Sequence, residues 1–128
     1  MSLSDHYTIA FDAPTRTLHI VTNGFWSLPV TTMFSADLLA RGAALRLRHG
    51  SFCTLADLRQ AAIQPTQVID ALAAMMPKAL KLTSAPIAAV VGSSLAKLQT
   101  ERYLSAPNCR TFLDYDAAVA WMRETFAG

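Results

Sequence analysis

Apolar and polar positions alternate over residues 7–11 and again over residues 17–22, with Asp12-Ala13-Pro14-Thr15-Arg16 between them. Two alternating runs joined by turn residues predict a β-hairpin whose loop is longer than two residues. Asn23-Gly24 ends the second run with a turn signal. The period then changes. Pro29 opens a helix, with Ser27 or Leu28 near its cap, and Val30, Met33, Phe34, Leu38 and Leu45 follow at helical spacing. Arg41, Arg46, Arg48 and His49 run up to Gly50, which matches the preference for cations in a last turn and glycine just beyond it.

Residues 52–58 read as a buried central strand. Gln64-Pro65-Thr66 opens a second helix with Val68, Leu72, Met75, Met76 and Ala79 on one face. Pro77 lies inside this pattern and is expected to kink or interrupt it, because proline lacks an N–H and its ring crowds the preceding turn. The apolar run Ile87-Ala88-Ala89-Val90-Val91 suits a strand covered on both faces. Gly92-Ser93-Ser94 begins a third helix carrying Leu95, Leu98 and Arg102. Residues 109–113 form the last strand. Asp114 caps a final helix with Ala117, Ala118, Trp121 and Met122 inward. A hairpin followed by alternating helices and strands predicts an α/β fold, a single mostly parallel sheet covered by helices. With 128 residues, the chain reads as one domain over residues 1–128.

Composition sharpens this picture. Apolar residues make up 52% and charged ones 16%, enough for a rich core with some surplus apolar surface for a partner or a ligand. A net charge of +2 does not suggest a nucleic-acid partner. No apolar run nears the roughly 20 residues that span a bilayer, so no integral membrane segment is expected. Residues 1–6 lack a basic stretch followed by an apolar one and do not read as a signal peptide. Cys53 and Cys109 both fall in predicted strands and read as buried reduced thiols, which points to a cytoplasmic protein.

In open α/β sheets, ligands bind beyond the carboxyl ends of the parallel strands. The predicted elements gather Asn23, Gly24 and Trp26, then Asp57, Arg59 and Gln60, then Gly92, Ser93 and Ser94, and finally Asp114 at that edge. Main-chain N–H groups at Gly92-Ser93-Ser94 suit an anion, but the segment has neither the lysine nor the glycine spacing of a phosphate loop, and a tight turn with an N-cap is the plain reading. Asp57 and Arg59, two apart on a strand end, point the same way and form either a structural ion pair or a ligand clamp. Trp26 either covers a cleft or an interface or closes the core. Phe25, Met33, Phe34, Met75 and Met76 line a pocket, a dimer face or the core. His6, His19 and His49 sit on separate elements without ligand spacing, so no metal is expected. No Ser/His/Asp or Cys/His arrangement and no cofactor motif emerges. The basic run at 41–48 reads as a solvated helix end, not a nucleic-acid patch.

Four stretches carry a resemblance: Asn23-Gly24-Phe25-Trp26; Leu55-Ala56-Asp57-Leu58-Arg59; Ile87-Ala88-Ala89-Val90-Val91-Gly92; and Arg110-Thr111-Phe112 followed by Ala117-Ala118-Val119-Ala120-Trp121-Met122. In this order, across nearly the whole chain, they resemble the STAS-like fold of anti-sigma factor antagonists and, more closely, the SpoIIAA-like group of small bacterial proteins. The resemblance implies a STAS-like regulatory module without catalysis, acting on a protein partner or on a second copy of itself as a homodimer. Anti-sigma antagonists carry a phosphorylated serine after an aspartate at the start of the helix that follows the Asp-Leu strand. Laying Asp57-Leu58 on that strand puts Pro65-Thr66-Gln67 there, so proline replaces the aspartate and Thr66 the serine. Thr66 is thus the phosphosite equivalent of a phospho-regulated switch or, more plainly, an N-cap hydroxyl. A further alternative follows from the similarity of this fold to the core of Sec14-type lipid-binding proteins: a domain that holds a small apolar ligand, although a chain this short makes a large cavity costly. Surface exposure of Trp26, Phe34 or the Met75-Met76 pair would favour the interaction module.

Overall fold

A computed structural model of the chain describes residues 6–126; residues 1–5, which bear on the signal-peptide reading, lie outside the described residues. β1 (Tyr7–Asp12) and β2 (Thr17–Gly24) form the expected antiparallel hairpin, with Tyr7 opposite Thr22 and Asp12 opposite Thr17. The rest of the chain alternates: α1 (Leu28–His49), β3 (Cys53–Ala61), α2 (Thr66–Leu80), β4 (Ile87–Val90), α3 (Ser94–Glu101), β5 (Cys109–Phe112) and α4 (Tyr115–Thr125). The sheet order is β1-β2-β3-β4-β5, and every pairing from β2 onward is parallel. When parallel strands are laid down in sequence order, right-handed crossovers place their helices on one face. Accordingly Val30 and Phe34 of α1 and Val68, Ile69 and Leu72 of α2 share one core with Leu18 and Ile20 of β2. The last helix covers the opposite face, where Ala118 and Met122 pack with Cys53, Leu55, Ala88 and Val90.

Local chemistry sets the helix boundaries. Ser27 is the N-cap of α1, its hydroxyl accepting the Val30 N–H at 3.4 Å, and Pro29 follows as the second helical residue. Gly50 ends the helix at φ 73°, where a side chain is disfavoured, and its N–H returns to the Arg46 carbonyl at 3.0 Å. Asp114 caps α4 through the Ala117 N–H at 3.2 Å.

Four expectations are corrected. Pro77 does not split α2, which runs through it to Leu80; the missing N–H takes a single bond from the ladder, the one to the Ala73 carbonyl. The cap of α2 is Pro65, without a side-chain hydrogen bond, so Thr66 is the first helical residue and not an N-cap. Ala117 faces outward, while Ala118, a step of about 100° round the helix from it, and Met122 are buried. Cys109 is only half-buried, because β5 is an edge strand; its burial still pushes the thiol pKa up, and both cysteines are free. The basic end of α1 is solvated, as expected, with Arg41, Arg46, Arg48 and His49 all exposed; Arg41 also donates to the Ile9 carbonyl and Arg46 to the Leu82 carbonyl, each at 2.8 Å.

β1 is fastened to α1 by a second link. The Tyr7 hydroxyl donates to Asp37 Oδ2 at 2.9 Å, and Asp37 also faces Arg41 at 3.7 Å. Burial, and then the Asp37 carboxylate, push the Tyr7 pKa up to about 12.

Candidate functional site at the carboxyl edge of the sheet

The pairing of β2 with β3 slips at this edge. Val21 is opposite Asp57 but Asn23 is opposite Gln60, so β3 carries an extra residue beside Thr22. Bulges leave a main-chain donor without its ladder partner. Here the Arg59 N–H turns to Asp57 Oδ1 at 3.2 Å. The same carboxylate takes both arms of the Arg59 side chain, Nε at 2.9 Å and Nη2 at 2.8 Å. This hydrogen bonding holds the Asp57 carboxyl below its usual range, against an opposing pull from partial burial. The Arg59 guanidinium lies over the Tyr115 ring, 4.8 Å from its centre. Asp57 and Arg59 therefore satisfy one another and the bulge, as a structural pair would.

The remaining candidates divide by position. Gln60 is exposed at the end of β3, and Ser94 is exposed as the first residue of α3. Ser93 is the N-cap of that helix, its hydroxyl accepting the Ala96 N–H at 3.1 Å. Thr66 is exposed at the start of α2. Trp26 is only 6% exposed and packs on Phe34 and Tyr7, with ring centres 4.9 and 5.9 Å away. Its indole N–H donates to the His6 carbonyl at 3.3 Å. Phe34, Met75 and Met76 are buried as well, so none of the residues whose exposure would mark an interaction surface is exposed. No group of three His, Cys, Asp or Glu among the described residues is placed to hold a metal ion. No described helix is long and apolar enough to cross a membrane.

Two features of this edge carry no sequence signal. Gln64, in the β3–α2 loop, ties three segments together. Its Oε1 accepts the Trp26 N–H at 2.8 Å and its Nε2 donates to the Gly24 carbonyl at 2.9 Å. Its main chain is clasped by Gln99 of α3: the Gln64 N–H donates to Gln99 Oε1 and Gln99 Nε2 donates to the Gln64 carbonyl, both at 2.9 Å. The second feature is a distribution. Among the described residues, six of the seven large apolar side chains that stand exposed belong to this edge or to the helices that start from it: Phe25, Leu28, Ile63, Leu95, Leu98 and Leu113. Phe25 is 69% exposed, and Leu95 and Leu98 on the outer side of α3 are 61% and 65% exposed.

Beneath the edge, between the sheet and the helices α1 and α2, lies an apolar cavity of about 120 Å³. β2 contributes Ile20 and Thr22, α1 Phe34 and Leu38, and α2 Ile69, Leu72 and Met76; Trp26 also lines it. Ala61, Ala62 and Ala96, with the clasped Gln64 and Gln99, line it towards the carboxyl edge. Tyr103 also faces it, and burial pushes that phenol's pKa up.

No family model matches the sequence, and no curated protein matches it. Solved structures do. An uncharacterised protein with a SpoIIAA-like fold from Shewanella loihica is similar at a TM-score of 0.67 and 12% identity, over 91% of this chain and 93% of that one. An anti-sigma factor antagonist from Mycobacterium paratuberculosis is similar at 0.60 and 16% identity, over 96% and 99%. The anti-sigma factor antagonist SpoIIAA in its unphosphorylated form is similar at 0.59 and 8% identity, over 91% and 97%. The chain thus has a SpoIIAA-like, STAS-like α/β fold.

Proposed function

We propose that this protein is a non-enzymatic STAS-like regulatory module that works by presenting the carboxyl edge of its sheet to a protein partner, a second copy of itself being the first to test. The observation that carries this reading is the gathering of exposed apolar side chains at that edge, from Phe25 on the β2 side through Ile63 to Leu95 and Leu98 on α3. Exposed large apolar residues in one region commonly mark interaction sites. The anti-sigma antagonists that share the fold support a regulatory role, and Asp57 and Arg59, engaged with each other, support a structural rather than a catalytic use of the best-placed charges.

Native mass spectrometry and light scattering test the proposal. A dimer, or a complex with a partner, that is lost on Leu95→Asp or Phe25→Asp while the fold is kept is the expected result. Association unchanged by either substitution would overturn the role of this edge.

A second reading has its own observation. The apolar cavity supports a role in holding a small apolar molecule inside the domain. Native mass spectrometry of the undelipidated protein separates the readings, since a bound molecule adds a defined mass to the monomer. Phospho-regulation at Thr66 is a third use of the same fold; the exposure of that hydroxyl at a helix start supports access by a kinase.

A further inference from the structure

The cavity contains an unsatisfied hydroxyl. Thr22 is 6% exposed, lines the cavity from β2, and its Oγ1 has no hydrogen-bond partner among the described residues. Buried polar side chains are ordinarily paired, so an exception needs a reason. The slip in β2–β3 pairing at Thr22 gives the local cause: ladder partners on either side are out of step, and bulges re-aim neighbouring side chains. Thr111 is the other such hydroxyl, but it lies in a separate shallow concavity beside β5.

Three properties of the cavity define what fits it. Its volume of about 120 Å³ approaches that of apolar cavities of about 150 Å³ that take a benzene ring. No Asp, Glu, Lys, Arg or His lines it, so a charged group would enter without a counter-charge, which low-dielectric surroundings penalise heavily. Trp26 and Phe34, with ring centres 4.9 Å apart, offer aromatic surface to a flat partner.

We propose that this cavity binds a neutral molecule of a single aromatic ring bearing one hydroxyl, with that hydroxyl hydrogen-bonded to Thr22 Oγ1 and the ring held among Ile20, Trp26, Phe34, Leu72 and Met76. The inference rests on the ligand-holding reading and adds to it the size, the charge and the polar handle of the ligand. The Gln64–Gln99 clasp forms part of the cavity wall on its carboxyl-edge side.

Phenol and toluene serve as probes, because they are nearly the same size and differ in the hydroxyl. Methyl NMR of the intact protein reads Ile69, Leu72 and Met76 during titration with each at millimolar concentrations. The expected result is saturable shifts at these methyls with both probes. Thr22→Val should weaken phenol about tenfold, as befits loss of one buried hydrogen bond, while leaving toluene within about twofold; Thr22→Ser, which keeps a hydroxyl, should restore phenol. The unliganded methyl spectrum reports whether each variant is folded, and the wild-type titrations stand whether or not the variants fold. If neither probe shifts the cavity methyls of the wild type, the ligand-holding reading itself falls. If both bind but Thr22→Val affects them equally, the cavity is a site and the assigned handle is wrong.

Discussion

Gln64 and Gln99, 35 positions apart in the chain, clasp one another through two hydrogen bonds of 2.9 Å: the Gln64 N–H donates to Gln99 Oε1, and Gln99 Nε2 donates to the Gln64 carbonyl. The clasp joins the β3–α2 loop to α3, and the Gln64 side chain carries the tie on to Gly24 and Trp26. The loops after β2 and β3 are therefore held to each other and to α3 by a single glutamine and its partner.

Gln99→Ala removes both bonds of the clasp and leaves the N–H and carbonyl of half-buried Gln64 to find water. A stability loss of about 1–3 kcal/mol is expected in urea unfolding, together with faster hydrogen exchange at the Gln64 amide. An unchanged Gln64 exchange rate would show that the loop is held by other contacts.

The sequence already carried the order of elements, because each depends on a local period: alternation in β1 and β2, helical spacing in α1 and α2, a continuous apolar run in β4. The partners of those elements were less legible. Strand order, the slip between β2 and β3, and the Gln64–Gln99 clasp depend on residues far apart, and a lone glutamine in a loop has no periodic signature. The cavity was hidden for a related reason, being the space left where side chains of β2, α1 and α2 fail to fill the gap between them. Trp26 could be placed at the edge but not oriented, since its burial depends on Tyr7 and Phe34. Leu95 and Leu98 were legible as apolar, while their exposure follows from which side of α3 meets the sheet.

Tyr7 predicts a pH dependence. Its folded pKa is raised from 10.0 to about 12, so the neutral phenol is favoured in the folded state. The corresponding stability is complete below pH 10, where the tyrosine is neutral in both states, and is lost as pH rises from there towards the folded value. Tyr7→Phe should lower stability at neutral pH by about 1 kcal/mol through loss of the bond to Asp37. The gap between wild type and variant should then shrink between pH 10 and 12. Denaturant unfolding across this range checks it; a constant gap would mean that Tyr7 does not titrate differently in the two states.

Gly42 sits where α1 passes Leu82, and a Cβ there would lie 2.6 Å from Leu82 Cδ1. Alanine in place of a helical glycine gains about 1 kcal/mol. Displacing the Leu82 methyl from its rotamer costs of order 0.5–1.5 kcal/mol, and the cavity that Leu82 lines gives it somewhere to go. Gly42→Ala is therefore expected to unfold within about 1 kcal/mol of the wild type, whereas Gly42→Leu should cost about 1–3 kcal/mol by overpacking. Equal and large losses for both would mean that Leu82 cannot move.

Thr66 separates an electrostatic effect from a regulatory one. The first turn of α2 has no acidic residue, and its cap, Pro65, supplies no side-chain acceptor. A negative charge at Thr66 meets the unpaired N–H groups at the positive end of the helix dipole, so Thr66→Asp should stabilise the fold by about 0.3–1 kcal/mol at low ionic strength, a gain that added salt reduces. That much follows from the helix alone. A regulatory site requires more: the same substitution must also change self-association or partner binding, while Thr66→Ala leaves both unmodified association and the salt response at wild-type levels. Thermal unfolding in low and high salt, run beside light scattering on the three proteins, reads the two effects separately. A stabilised Thr66→Asp protein that associates as the wild type does would make Thr66 a helix position and nothing more.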